Sequence, residues 1–305
     1  MSTWNHYHLA RSIEDALGAL RSSPGPARPV AGGTDYLLEL QQGHHAPVDT
    51  LVDVTCIPEL NCLEIRAGEL YIGAAVPVSQ VTASPLVREH ALAVSEACDL
   101  IGGPQVRNTA TLGGNVAHAL PAADGMISLV ALDAQVEVAV ADEDGCRVRR
   151  APILSLFAGP GKSTLLPNQE ILVGFYLPLR DPGTASAFAR VMRPQGVALP
   201  ILNLAVWLRR EQAGPGRDCI ADIHIAVGPS GPTPRRAAAV EDCLRGQVYS
   251  PAVLVQAEAV WRETLRFRTS PRRATAEYRQ HLSGGLVEQG ISAAWERAAL
   301  EVEVG

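Results

Sequence analysis

A chain of 305 residues is too long for one small hydrophobic core, so we expect two or three domains. The net charge of −6, from 26 basic and 32 acidic side chains, argues against nucleic acid or an anionic membrane surface as the main partner. Residues 1–10 contain no apolar signal segment, and no apolar run approaches the ~20 residues that span a bilayer. We therefore expect no membrane insertion and a cytoplasmic location.

The first part of the chain, residues 1–55, has the periodicity of a small α/β unit. Ser12 is a candidate helix N-cap, because apolar residues at helical spacing follow it as far as Leu20. A short strand then runs into a Gly-Gly turn, one or two helical turns follow, and a second strand precedes residue 55. We assign this range to a first subdomain.

Residues 56–178 are predicted to form a second α/β subdomain. The predicted elements are a β-hairpin at 62–73, one helix from 84 to 101, a short helix at 125–132, and strands at 136–140 and 171–175. A proline-containing joint at 177–183 marks a boundary. Beyond it, residues 183–305 read as strands followed by helices, which predicts a C-terminal α+β domain with a small antiparallel sheet. Its helices are predicted at 235–244, 251–265, 274–281 and, more weakly, 291–300.

Two glycine-rich segments carry the main functional signal. They are Pro29-Val30-Ala31-Gly32-Gly33-Thr34-Asp35 and Thr111-Leu112-Gly113-Gly114-Asn115. Each lies where a strand gives way to a loop or a helix start, so backbone amides there can face an anion. A single Gly-Gly is as often only a tight turn. Two such loops favour one extended, phosphate-bearing ligand such as a dinucleotide, although the Rossmann pattern G-x-G-x-x-G is not matched.

Polar side chains accompany these segments. Thr34 and Thr111 offer hydroxyls, and Asn115 can both donate and accept hydrogen bonds. Asp124 could accept hydrogen bonds from sugar-like hydroxyls. The alternatives are that Asp124 is only a helix N-cap and that Asn115 only stabilises a turn.

Other patterns in the chain are weaker. The segment Gly159-Pro160-Gly161-Lys162-Ser163-Thr164 resembles a triphosphate-binding loop, but Leu156 stands where G-x-x-x-x-G-K-[ST] needs glycine, so we read a surface loop. His118 follows the second glycine segment and could line a pocket, although local packing or hydrogen bonding is the favoured reading. The six scattered cysteines contain no C-x-x-C pair, so we expect free thiols and no metal in this chain.

Both glycine segments, in this order and at this separation, resemble the FAD-binding subunit of the molybdenum hydroxylases, the xanthine dehydrogenase and carbon monoxide dehydrogenase flavoprotein family. The matching ranges are 31–35, 105–115, 121–124, 131–134 and 159–162, and Tyr278-Arg279 stands in a family-like position. The resemblance covers essentially the whole chain. It implies an α+β fold, with a two-subdomain FAD-binding α/β module followed by the C-terminal domain.

The resemblance also implies a noncovalent FAD site without catalytic acid or base. Residues 29–36, which include Tyr36, and 111–115 would clamp the pyrophosphate and the adjoining ribityl, and Asp124 would bind ribityl or ribose hydroxyls. Ile101 and Leu172 would lie near the flavin ring, and Arg190 falls close to a family lysine beside the isoalloxazine. The family often carries Arg-Arg-x-x-Asp after that position, whereas residues 193–197 depart from the pattern.

In this family the subunit transfers electrons and does not oxidise the organic substrate. The resemblance implies a [2Fe-2S] small subunit and a molybdopterin large subunit as partners, in a dimer of heterotrimers. This chain would be the medium subunit, passing electrons through FAD to a terminal acceptor. Two other functions stay open: a self-contained flavin oxidase or reductase, and a non-enzymatic nucleotide-binding protein.

Overall fold

The computed structural model describes residues 3–142, 145–193, 199–212, 218–271 and 273–299. Most of the segment that departs from the family pattern, residues 194–197, lies outside these ranges. Within them, no helix combines the length and the apolar character needed to cross a membrane.

The N-terminal elements form a small parallel sheet with two helices. They are β1 (His6–Leu9), α1 (Ile13–Ser22), β2 (Ala27–Val30), α2 (Tyr36–Gln41) and β3 (Thr50–Asp53), and the strand order is β1-β3-β2. The predicted start of α1 is confirmed, because the Ser12 hydroxyl accepts a hydrogen bond from the Asp15 amide at 3.1 Å. Strand β1 was not predicted: it is only four residues long, and three of its residues are exposed.

The central part of the chain surrounds a five-stranded antiparallel sheet of order β4-β5-β10-β6-β7. Its strands are β4 (Leu63–Arg66), β5 (Glu69–Gly73), β6 (Gln135–Asp142), β7 (Gly145–Pro152) and β10 (Glu170–Pro178). The short strands β8 (Phe157–Gly159) and β9 (Lys162–Ser163) form a separate hairpin. The helices are α3 (Val78–Ala83), α4 (Pro85–His90), α5 (Leu92–Asp99), α6 (Pro104–Arg107), α7 (Leu112–Ala117) and α8 (Asp124–Ala131).

The single helix predicted over 84–101 is wrong, because the chain breaks it at Ala91 into α4 and α5. Ala91 has φ −141° and ψ 51° and is fully buried. The Ser186 hydroxyl accepts the amide hydrogen of Ala93 at 3.0 Å, which satisfies a donor at the start of α5. Because this partner lies 93 residues away along the chain, local sequence does not reveal the break.

The C-terminal part is an antiparallel sheet covered by helices. Its elements are β11 (Thr184–Val191), β12 (Leu202–Gln212), β13 (Asp218–Gly228), β14 (Arg235–Arg236), α9 (Ala238–Leu244), α10 (Pro251–Thr264) and α11 (Ala276–Ala298). The two helices predicted at 274–281 and 291–300 are one helix, α11, which packs on β11 and β12. Burial of one of its faces outweighs the low helix propensity of Gly284 and Gly285 inside it.

Three large apolar clusters underlie these sheets and confirm an α+β fold. One lies under α1 and includes Ile171 and Val173 of β10, so the N-terminal helix shares a core with the central sheet. A second fills the space between that sheet and helices α3–α8, and a third lies between the C-terminal sheet and α9–α11. The central and C-terminal parts are joined by an ion pair, in which Arg297 of α11 donates to Glu96 of α5 at 2.5 Å.

Candidate functional site

Residues 31–35, called here the first glycine loop, connect β2 to α2 with their backbone donors unused. The amides of Gly32, Gly33, Thr34 and Asp35 donate no hydrogen bond to any described residue. Gly33 has φ +65°, a conformation that favours glycine. The Thr34 hydroxyl oxygen is enclosed and has no partner among the described residues. Because buried polar groups are normally satisfied, this loop has the character of an anion-binding turn.

Residues 111–115 are called here the second glycine segment. The first glycine loop packs against the two residues that come just before this segment. A Cβ on Gly32 would lie 2.0 Å from the Thr109 carbonyl oxygen and 2.9 Å from the Cα of Ala110. Only glycine allows this approach, so the two segments that the sequence singled out are neighbours in the fold.

The second glycine segment uses its own amides to build structure. The Leu112 and Gly113 amides donate to the carbonyls of Val76 and Ala74 at 3.3 and 2.9 Å, and the Gly114 amide donates to the Thr111 hydroxyl at 3.0 Å. The expectation of bare amides is therefore wrong for these three residues, because helix α7 begins here with Thr111 as its N-cap. That the segment contacts FAD stays a prediction.

Asn115 connects the second glycine segment to the start of α8. Its side-chain oxygen accepts the amide hydrogen of Met126 at 3.2 Å, which agrees with the structural alternative for this residue. Asp124 is the first residue of α8, and Ala123 is the N-cap, so the N-cap alternative for Asp124 is wrong. The Asp124 carboxylate instead contacts residues of the C-terminal sheet.

Asp124 lies in a buried cluster with two residues of the C-terminal sheet. Arg190 donates to one carboxylate oxygen and Asn203 to the other, both at 2.6 Å. The Asp124 and Arg190 side chains are only 5% and 6% exposed. Burial raises the pKa of Asp124 to about 6, against the opposing effect of the Arg190 charge and the Asn203 hydrogen bond. Both carboxylate oxygens therefore already have protein partners.

The two partners of Asp124 sit opposite each other in the sheet, Arg190 on β11 and Asn203 on β12. Arg190 Nε and Asn203 Oδ1 are buried without a hydrogen-bond partner among the described residues. Sequence reasoning missed Asn203. The available signal was a single amide side chain within the apolar run of β12, where a buried polar group requires a partner.

The two apolar residues assigned to the flavin ring lie on the central apolar cluster. Leu172 on β10 is 7% exposed and belongs to that cluster, and Ile101, just after α5, packs against it. Tyr36, the first residue of α2, packs instead with Val30, Val48 and Leu51. The structure thus places the three side chains in two different apolar regions.

His118 contacts acidic residues of the first glycine loop and of α2. Its Nδ1 is 3.4 Å from Asp35, and its Nε2 is 3.3 Å from Glu39. The contact with Asp35 raises the pKa of His118, and Glu39 raises it to a lesser extent. The same contact lowers the pKa of Asp35. This agrees with the reading of His118 as a hydrogen-bonding residue.

The remaining patterns have structural explanations. Residues 157–163 form the β8–β9 hairpin, with Gly161 at φ +66° in its turn and no helix after it, so the segment is not a triphosphate-binding loop. The six cysteines are free. Among the described residues, no group of three or more His, Cys, Asp or Glu side chains is placed to hold a metal ion.

Comparison with known families identifies this arrangement. Residues 2–180 match the FAD binding domain in molybdopterin dehydrogenase, and residues 186–294 match the CO dehydrogenase flavoprotein C-terminal domain. The chain belongs to the molybdopterin dehydrogenase flavoprotein family. It is an FAD-binding oxidoreductase subunit with a role in electron transfer, as the resemblance implied.

Individual relatives match over nearly the whole chain. The xanthine dehydrogenase FAD-binding subunit of Escherichia coli O157:H7 is 30% identical, over 94% of this chain and 95% of that protein. The carbon monoxide dehydrogenase medium chain of Hydrogenophaga pseudoflava is 29% identical, over 96% and 98%. Among solved structures, carbon monoxide dehydrogenase from the same organism superposes with a TM-score of 0.85 at 26% identity, covering 96% of this chain and 98% of that one.

Proposed function

We propose that this flavoprotein binds the FAD pyrophosphate at the first glycine loop. The observation that carries the proposal is the run of four amides at Gly32–Asp35 without a partner among the described residues. Successive backbone N–H groups in a turn form a concave donor surface that suits phosphate oxygens. The enclosed Thr34 hydroxyl, also without a partner, lies in the same loop.

The second glycine segment supports this loop from behind. The amides of its residues 112–115 are bonded within the protein, and the backbone just before it, at Thr109 and Ala110, packs against Gly32 and limits where the loop can lie. Asn115 then ties the segment to α8, which carries Asp124. Asp124 is proposed to face the ribityl or ribose hydroxyls, with Arg190 and Asn203 holding its carboxylate in place.

The residues of this chain bind and orient the cofactor and keep water from it. When bound, FAD supplies the ability to accept an electron pair and to release electrons singly. We propose that Ile101 and Leu172, which lie on the central apolar cluster, provide the apolar surroundings of the ring. No proton transfer by a side chain of this chain is required.

The relatives named medium chains support the proposed assembly. We propose that the chain is the medium subunit of a cytoplasmic dimer of heterotrimers, beside a [2Fe-2S] small subunit and a molybdopterin large subunit. We also propose two FAD-binding subdomains, at 1–55 and 56–178, and a C-terminal domain at 183–305. The three larger sheets, one in each range, support this division.

The pyrophosphate assignment is tested by Gly32→Ala. The new Cβ would collide with the Thr109 carbonyl and move the loop away from its support, so FAD affinity should fall roughly tenfold or more. The measurement is titration of flavin-free protein with FAD, followed by flavin fluorescence.

The matched control is Gly18→Ala, on an exposed helical site with nothing within 4 Å of the added Cβ. Its FAD affinity should equal that of the wild type. Wild-type affinity in Gly32→Ala would contradict the assignment of this loop.

A further inference from the structure

His118 is a direct side-chain connection between the two glycine-containing parts of the site. It is the C-cap of α7, the helix that the second glycine segment begins. Asp35, which it contacts, lies in the first glycine loop, and Glu39 lies one turn later on α2. The His118 ring thus connects α7 to the first glycine loop and to α2.

The positions of both ring nitrogens favour a protonated imidazole. A neutral imidazole has one N–H donor and one unprotonated nitrogen, so it can donate to only one of two carboxylates. Nε2 is hydrogen-bonded to Glu39 at 3.3 Å, and Nδ1 lies 3.4 Å from an Asp35 carboxylate oxygen in an ion-pair contact, so both ring nitrogens face carboxylates and the imidazolium suits both. Loss of the proton leaves one ring nitrogen with its lone pair facing a carboxylate.

The charge at this point also affects a bound anion. Asp35 is part of the loop proposed to face pyrophosphate, and a carboxylate without a cation would repel the phosphate charges. The His118 side chain is 25% exposed and the Asp35 side chain 60% exposed, so solvent weakens this charge contact without removing it. Protonated His118 therefore both fixes the loop and neutralises the acidic side chain on it.

We propose that protonated His118 is a positioning residue that holds the first glycine loop in its FAD-binding geometry and makes FAD affinity depend on pH. This inference rests on the proposed function of the loop. Because the contact with Asp35 raises the pKa of His118, the cationic form persists to higher pH than in a free histidine. Affinity is then highest at low pH and falls as the pH rises through that pKa.

The charged groups that contact the ring come from the first glycine loop and α2, and a third element, the β8–β9 hairpin, packs nearby through its backbone. Asp35 and Glu39 face the ring from the first glycine loop and α2, and His45 contacts the far side of Glu39 at 2.9 Å. The β8–β9 hairpin reaches the turn after α7 through a bond from the Gly161 amide to the Ala119 carbonyl, and Lys162 is the charged residue of that hairpin.

The test compares wild type with His118→Gln, whose amide keeps hydrogen-bonding capacity but does not titrate. Flavin-free full-length protein is titrated with FAD at several values between about pH 7 and 9, above the range in which Asp124 changes charge. Wild-type affinity should fall about tenfold across this range, and that of His118→Gln should stay constant. The control is His8→Gln, which removes another histidine–aspartate contact, to Asp15 on α1, and should keep the wild-type pH dependence.

A second measurement needs only the wild-type chain. The His118 pKa is followed by NMR with and without FAD, and reciprocal linkage requires FAD to raise it. An unchanged His118 pKa, or equal pH dependence in wild type and His118→Gln, would overturn the inference while leaving the FAD site intact. Failure of the wild type to bind FAD at every pH would instead overturn the proposed function.

Discussion

At the scale of single residues, the most unusual feature is the buried charge cluster around Asp124. A carboxylate this enclosed is stable only with partners, and here they are Arg190 and Asn203 of the C-terminal sheet. Since burial raises the pKa of Asp124 to about 6, folding favours its neutral form relative to the unfolded chain. The contribution of Asp124 to stability is therefore greatest below its unfolded pKa and declines as the pH rises through about 6.

This pH dependence is expected to disappear in Asp124→Asn, which mimics the neutral carboxyl. The free energy of unfolding of wild type, relative to that of the variant, should fall by up to about 3 kcal/mol between pH 4 and 7. Denaturant unfolding at several pH values measures it. Asp242→Asn, at an exposed surface ion pair, serves as the control and should show little change. A constant difference for Asp124→Asn would disprove this account of the cluster.

The sequence predicted part of this cluster. The position of Asp124 after the second glycine segment and the family-like position of Arg190 were both identified, although neither pattern indicated that they contact each other. Asn203 was missed because its partners, Ala122 and Asp124, lie about 80 residues earlier in the chain. A buried polar group is recognised by its distant partners, which local sequence does not show.

At the scale of elements, strands and helices with strong local signals were predicted well. Helix α1 has its serine cap and α10 has Pro251 in its first turn, so each begins where expected. Two of the errors, at Ala91 and in α11, lie where packing from another part of the chain outweighs local preference. Strand β13 was predicted, but its contact with the segment that precedes Asp124, made at Gly228, was not.

Gly228→Ala is expected to disturb this contact between β13 and the start of α8. The added Cβ would lie 2.6 Å from the Pro121 carbonyl oxygen and 2.7 Å from Asn203 Oδ1, neither of which can move freely. Overpacking of this kind costs about 1–3 kcal/mol. Chemical denaturation should show this loss, whereas Gly285→Ala, on an exposed helical site with open space around it, should gain up to about 1 kcal/mol. Unchanged stability of Gly228→Ala would refute the contact.

At the scale of the whole molecule, the two matched family regions meet at the candidate site. The central part supplies Asp124, and the C-terminal sheet supplies Arg190 and Asn203. A second contact joins the same parts, because Arg297 and the Phe188 amide both donate to Glu96. We therefore expect the C-terminal domain to contribute to cofactor binding as well as to assembly.

The most direct test of the central claim is purification of the tagged chain from its native cell, with measurement of FAD, iron and molybdenum in one sample. The account predicts FAD in an amount equal to the chain, released by acid precipitation because it is not covalently bound. It also predicts that an iron–sulfur protein and a molybdenum protein co-purify with the chain. A sample without FAD would contradict the proposed cofactor role, and FAD without iron and molybdenum partners would contradict the assembly.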